Sequence, residues 1–309
     1  STTSYKRYSG KIMKTVISGG HGFLGHHLRP YFKDAFLPKH KDFNLLDAYV
    51  CKEIVKGQDV VIHLAARVGG IGYNRENPAT LFYENALMGI NMIHSSYLAG
   101  VKKFVQLGTV CAYPKFTATP FREKDLWMGY PEETNAPYGL AKKMLLVQLQ
   151  AYRKQYGFNG IYLLPVNLYG PHDNFDPESS HVIPALIRKI AHAKEYGDEL
   201  EVWGTGNATR EFLYVKDAAE GIYLATKSYN EGEPVNLGSG QSISIKELVK
   251  TIADIIDYKG QVIWNDQMPD GQPKRELDVS RAKEFGFVAK TSFKKGLLET
   301  IKYYYDNIH

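Results

Sequence analysis

The chain has 309 residues, 44% of them apolar and 23% charged, a mix that excludes a disordered or fibrous protein and allows one large domain or two of moderate size. No run of about 18 apolar residues occurs, so no membrane span is expected, and two cysteines, Cys51 and Cys111, are too few for a disulfide framework and point to a reducing, cytoplasmic setting. Of the net charge of +5, Lys6, Arg7, Lys11 and Lys14 supply four units in an acid-free opening segment, so the remainder is near neutral and a broad nucleic-acid surface is excluded.

The opening Ser1–Arg7 lacks the apolar core of a secretory signal. Thr15-Val16-Ile17-Ser18 then reads as a buried strand, followed by a glycine-rich turn and a helix from about Leu24. Glycines fall at 19, 22 and 25. Gly19 suits a tight turn, Gly22 the close approach of a pyrophosphate, and Gly25 close helix–strand packing, with Phe23 and Leu24 opening the helix whose free N–H groups face the phosphates. Which dinucleotide this turn suits depends on the end of the next strand, expected near Ala35–Asp42. Lys39-His40-Lys41 is basic and favours the 2′-phosphate of NADP, while Asp42, directly after it, suits the free ribose hydroxyl of NAD.

Further along, Asp59–Leu64 and Lys103–Leu107 read as strands, and residues 79–99 between them carry apolar positions at helical spacing. A helix is expected from about Pro137 to Gln155 and a strand over Gly160–Leu164. Apolar strands separated by helices predict a doubly wound, Rossmann-type parallel sheet. Pro and Asn cluster over Pro165–Pro177, and later elements are shorter, with helices near 244–257 and 292–306. The expected division is a dinucleotide-binding domain over 1–165, to which 211–238 could return, and a smaller α/β substrate domain over 166–309.

Tyr138 and Lys142 stand four apart on one helix face, where Asn135 is a natural N-cap and Pro137 an early-turn residue. A free phenol is a poor proton relay at neutral pH; a neighbouring ammonium lowers its pKa and makes it a usable acid or base. Cys111 and His181 are two further side chains of types that can move protons. Cys51, on an amphipathic pattern, reads as a core residue.

Taken together, Gly19-x-x-Gly22-x-x-Gly25, Leu64-Ala65-Ala66, Thr109 and Tyr138-x-x-x-Lys142 resemble the extended short-chain dehydrogenase/reductase family over essentially the whole chain. The resemblance implies that Tyr138 exchanges a proton with the substrate, that Lys142 also grips the nicotinamide ribose, that Thr109 orients the substrate oxygen, and that Leu64, Ala65 and Ala66 line the coenzyme. In place of the Asp-Glu pair of the family's sugar-nucleotide dehydratases the chain has Val110-Cys111. Longer motifs, His63–Ile71, Asn167–Phe175, Ser180–Leu186, Val202-Trp203-Gly204 and Arg210-Glu211-Phe212, resemble the GDP-L-fucose synthase branch. That likeness implies NADP(H) as coenzyme and a homodimer. The implied reaction is 3,5-epimerisation of GDP-4-keto-6-deoxy-D-mannose by Cys111 and His181, then reduction at C4. It places Asn167, Lys189, Trp203 and Arg210 on the GDP-sugar and, besides Tyr138 and Lys142, His181 beside the coenzyme. The competing readings are a 3,5-epimerase or 4-reductase of the same family acting on another nucleotide sugar, and a nucleotide-binding regulator without chemistry.

Overall fold

The computed structural model describes residues 13–268 and 272–309; Lys6, Arg7 and Lys11 of the basic segment lie outside the described residues. In chain order the elements are β1 (Thr15–Ser18), α1 (Phe23–Leu28), α2 (Ala48–Val55), β2 (Val60–His63), α3 (Ile71–Glu76), α4 (Pro78–Leu98), β3 (Lys103–Leu107), α5 (Ala136–Tyr156), β4 (Gly160–Pro165), β5 (Asn167–Tyr169), α6 (Val182–Tyr196), β6 (Leu200–Trp203), β7 (Thr209–Tyr214), α7 (Val215–Ser228), β8 (Val235–Leu237), β9 (Ser242–Ser244), α8 (Ile245–Ile256), β10 (Val262–Asn265), α9 (Ser280–Lys283) and α10 (Phe293–Asn307).

Strands β1, β2, β3, β4 and β8 form one sheet in that order, every pairing parallel. Every residue of β1, β2 and β3 is buried, as expected for strands covered on both faces. Two helical groups cover them: α2, α4 and α5 pack in succession, and α1 packs on α7. One core joins the sheet to both groups, with Val16, Ile62 and Val105 from the strands, Met92 and Leu146 from α4 and α5, and Leu28 and Ile222 from α1 and α7.

The strand expected near Ala35–Asp42 contracts to one parallel bridge, Phe36 to Val16, in which Ile17 N donates to Phe36 O at 2.9 Å and Phe36 N to Thr15 O at 2.8 Å. Pro38, with no N–H, follows two residues later, and the basic run after it has nothing apolar to bury. Past residue 166 a second core forms around Tyr169, Ile183, Leu186, Phe212, Leu248 and Leu297. It is framed by a three-stranded sheet ordered β5-β7-β9 and by the parallel pair β10-β6. Within residues 211–238, Glu211–Tyr214 belong to β7 of this smaller sheet, whereas β8 is the fifth strand of the large one.

Candidate active site

At the end of β1 the backbone turns through Gly19, whose φ of +72° is left-handed. A Cβ there would lie 2.7 Å from the backbone N of Ala65, so the turn presses on the Leu64-Ala65-Ala66 segment leaving β2. A Cβ on Gly25 would lie 2.4 Å from Gly19 O; only glycine lets α1 sit this close to the turn. Gly22 is exposed, and its N–H donates to Gly19 O at 3.0 Å. Phe23 and Leu24 are half-buried behind it. This side-chain-free concavity fits the pyrophosphate of a dinucleotide. Lys39 and Lys41 are exposed on a loop tied to the glycine turn through His21, whose Nε2 lies 3.2 Å from Leu37 O. Beneath the turn, Ser18 Oγ lies 2.6 Å from His63 Nδ1, and burial lowers the pKa of that imidazole to about 3.

Tyr138 and Lys142 lie one turn apart at the start of α5. Asn135 occupies the N-cap position, but its side chain makes no capping bond. The Glu132 carboxylate instead fixes the chain leading into α5, accepting from Thr134 N at 3.1 Å and Asn135 N at 3.2 Å. Lys142 is 2% exposed, and desolvation alone pulls its ammonium down to about 8. The expectation that Lys142 lowers the phenol pKa of Tyr138 is reversed: burial, with Cys111 next, raises it. A phenol held protonated is the form that donates a proton.

Thr109, Val110, Cys111 and Ala112 follow β3 as a tight turn in which Cys111 N donates to Thr109 Oγ1 at 3.2 Å. Val110 and Ala112 enter the core while Cys111 is half-buried, so the turn presents the sulfur and hides its apolar neighbours. The turn abuts α5 directly, since a Cβ on Gly139 would lie 2.6 Å from Cys111 O. Thr109, Cys111, Tyr138 and Lys142 are thus carried by two backbone segments in contact.

His181 stands at the N-cap of α6 and is exposed, yet the protein around it desolvates the ring and lowers its pKa. The segment before it is docked onto the loop after β2: Gly70 N donates to Ser179 O at 3.0 Å, and a Cβ on Gly70 would lie 2.9 Å from Ser180 O. Gly70 therefore places His181, a role that spacing alone does not reveal. Asn167 opens β5, in register with Phe212 of β7. At the start of β7, Arg210 Nη1 donates to Thr209 O at 2.8 Å and to Gln272 O at 2.6 Å. The Gln272 side chain also donates to Lys115 O, bridging Arg210 to the loop beyond Cys111. Lys189 Nζ lies 5.9 Å from the exposed Trp203 ring. Among the described residues, no group of His, Cys, Asp or Glu side chains could hold a metal ion.

Residues 15–238 match the NAD dependent epimerase/dehydratase family. The chain is 43% identical over 250 residues to the GDP-L-fucose synthase of Sinorhizobium fredii, covering 80% of this chain and 79% of that one. It is 37% identical over 307 residues to the probable GDP-L-fucose synthase 1 of Oryza sativa, covering 96% and 93%. The chain belongs to the NAD dependent epimerase/dehydratase family, among its GDP-L-fucose synthases. The resemblance carried by the glycine turn, Tyr138-x-x-x-Lys142 and the longer motifs is borne out. The family fold extends to the GDP-L-fucose synthetase from Naegleria fowleri bound to NADP, which superposes with a TM-score of 0.87 at 28% identity, covering 96% of this chain and 94% of that one.

Proposed function

We propose that the chain converts GDP-4-keto-6-deoxy-D-mannose to GDP-L-fucose, by epimerisation at C3 and C5 and NADPH-dependent reduction at C4. The observation that carries this reading is the direct contact of the Cys111 turn with the Tyr138–Lys142 turn of α5. A proton-moving sulfur and a proton-donating phenol are thereby served to one substrate carbonyl. The bacterial and plant GDP-L-fucose synthases among its relatives support the same substrate.

The C4 ketone acidifies the protons at C3 and C5. Cys111 and His181 exchange them from opposite ring faces, one removing a proton and the other returning one, so each carbon inverts with no net loss of hydrogen. His181, with its lowered pKa, is largely neutral at pH 7 and able to accept a proton. Bound NADPH supplies a hydride to C4. Tyr138, held protonated by burial, gives its proton to the C4 oxygen, which Thr109 Oγ1 orients by hydrogen bonding. Lys142, mostly charged at pH 7 with a pKa of about 8, stabilises the phenolate left behind and holds the nicotinamide ribose. Gly19, Gly22, Phe23, Leu24, Gly25 and Leu64-Ala65-Ala66 hold the coenzyme backbone, with Lys39 and Lys41 at the 2′-phosphate. Asn167, Lys189, Trp203 and Arg210 hold the GDP-sugar.

In this reading residues 1–165 form the NADP-binding domain, to which α7 and β8 return, and the rest of 166–309 forms the substrate domain, and the enzyme works as a cytoplasmic homodimer through the exposed faces of α4 and α5. No helix among the described residues is long and apolar enough to cross a membrane. The test is incubation with GDP-4-keto-6-deoxy-D-mannose and NADPH in D2O, with the product identified by NMR. GDP-L-fucose carrying deuterium at C3 and C5, formed with one NADPH oxidised per sugar, is expected. Cys111→Ser should cut deuterium incorporation by about a hundredfold while leaving NADPH binding intact. Full turnover by Cys111→Ser would remove the sulfur from the mechanism.

A further inference from the structure

Tyr162 has no part in the chemistry above, yet it packs tightly beside the site. It stands in β4, in register with Gln106 of β3, and is 1% exposed. A Cβ built on Gly108 would fall 2.4 Å from Cε1 and from Cζ of the Tyr162 ring and 2.5 Å from its hydroxyl oxygen. The ring therefore lies on bare backbone immediately before Thr109, where any larger residue would drive it away. Gly108 N donates to Leu163 O at 2.7 Å, so the same strand pairing that brings Tyr162 here also fixes the Thr109 turn.

The phenol reaches past Gly108 and donates to the backbone carbonyl of Lys142 at 2.8 Å. A carbonyl oxygen has two lone pairs, so this bond adds to the helical one, and a buried phenol has no water to bond instead. Burial, with Tyr138 and Tyr113 nearby, keeps the Tyr162 hydroxyl protonated and therefore always a donor. On the other side of the same helical turn, Gly139 rests on Cys111 O. The turn carrying Tyr138 and Lys142 is thus gripped at two points, by Tyr162 from the sheet and by the Cys111 carbonyl.

We propose that Tyr162 is a positioning residue for the reduction step, setting the separation between Thr109 and the Tyr138–Lys142 turn through its bond to the Lys142 carbonyl across Gly108. The inference rests on the function proposed above. Thr109, Tyr138 and Lys142 converge on the C4 oxygen, whereas proton exchange at C3 and C5 depends on Cys111 and His181. Loss of the Tyr162 hydroxyl therefore separates the two steps, which a purely space-filling role would not do. A displacement of about 1 Å in such a constellation costs up to about a hundredfold in rate, and loss of one restraint on a turn still held at Cys111 costs less.

The test compares the full chain with Tyr162→Phe, which keeps the ring, on GDP-4-keto-6-deoxy-D-mannose and NADPH in D2O. Expected are a fall of about tenfold in kcat for NADPH oxidation, an NADPH KM unchanged within about twofold, and a rise of similar size in deuterium exchanged at C3 and C5 per NADPH oxidised. Gly108→Ala, which pushes the ring off its seat, should raise that ratio further; if it fails to fold, Tyr162→Phe alone decides. An unchanged ratio in Tyr162→Phe, or exchange and reduction falling together with the melting temperature, assigns the residue to core packing and overturns the inference. A wild-type enzyme inert towards this sugar overturns the functional reading and this inference with it, whereas wild-type turnover with an unchanged Tyr162→Phe ratio overturns this inference alone.

Discussion

Lys142 carries a charge into a place that does not favour one. Its folded pKa of about 8 lies below the usual lysine value of 10.5, with desolvation as the sole cause. Between those two values the unfolded chain holds the proton more readily than the folded one. Stability therefore rises as pH climbs through that window, and the full cost of the buried ammonium is present below pH 8. Lys142→Met, which keeps the length and discards the charge, should raise the melting temperature at pH 7 by a few degrees and abolish NADPH-dependent turnover. The gain should fade by pH 10.5, and a Lys142→Met protein that melts lower at pH 7 would contradict this account. The placement of Tyr138 and Lys142 on one helix face was readable from their spacing. The direction of the Tyr138 shift was not, because it depends on how deeply the chain buries the helix start. Nor was the entry to α5, because the folded loop brings Glu132 onto the Thr134 and Asn135 N–H groups while Asn135, at the N-cap position, makes no capping bond.

Three histidines join elements far apart in the chain. His27 Nε2, on α1, lies 2.7 Å from Pro171 O. The His26 and His172 rings stack at 3.5 Å between centroids, with Arg29 Nη2 2.6 Å from His26 Nδ1 and Tyr303 Oη, on α10, 3.2 Å from His172 Nδ1. Burial is the first cause lowering all three pKa values, that of His27 to about 4, and the neighbouring imidazoles, Arg29 and Lys216 add repulsion. Groups with depressed folded pKa values contribute stability that is complete above their unfolded value of 6.5 and is lost as pH falls towards about 4. The melting temperature should drop between pH 7 and pH 5, and His27→Gln, which still donates to Pro171 O, should flatten that drop; parallel curves for the two proteins would exclude the cluster as its source. Nothing in the pair His26-His27 predicts this junction, because its third member arrives through the left-handed backbone at His172, with φ of +69°.

At the scale of the whole molecule, α4 leaves Phe82 44% and Tyr83 61% exposed, and α5 leaves Val147 51% exposed. Apolar side chains on two packed helices, beside a sheet already covered, are the surface expected to meet a second copy. Light scattering at micromolar concentration should give twice the chain mass, and Val147→Glu should give the single chain mass with the fold intact. The parallel sheet itself was legible: β1 and β3 fall where their apolar runs end, because a strand buried on both faces must be apolar throughout. The glycine turn was legible too, since no other residue allows its φ and close contacts. What the linear chain could not disclose was every feature set by two segments meeting. The second strand shrank to the Phe36 bridge, Gly70 docked the segment before His181, and Tyr162 crossed Gly108 to reach Lys142. Periodicity and composition report how much of a residue is buried and on which side. Which backbone it is buried against is decided by the assembled sheet and helices, and the candidate site is made of those contacts.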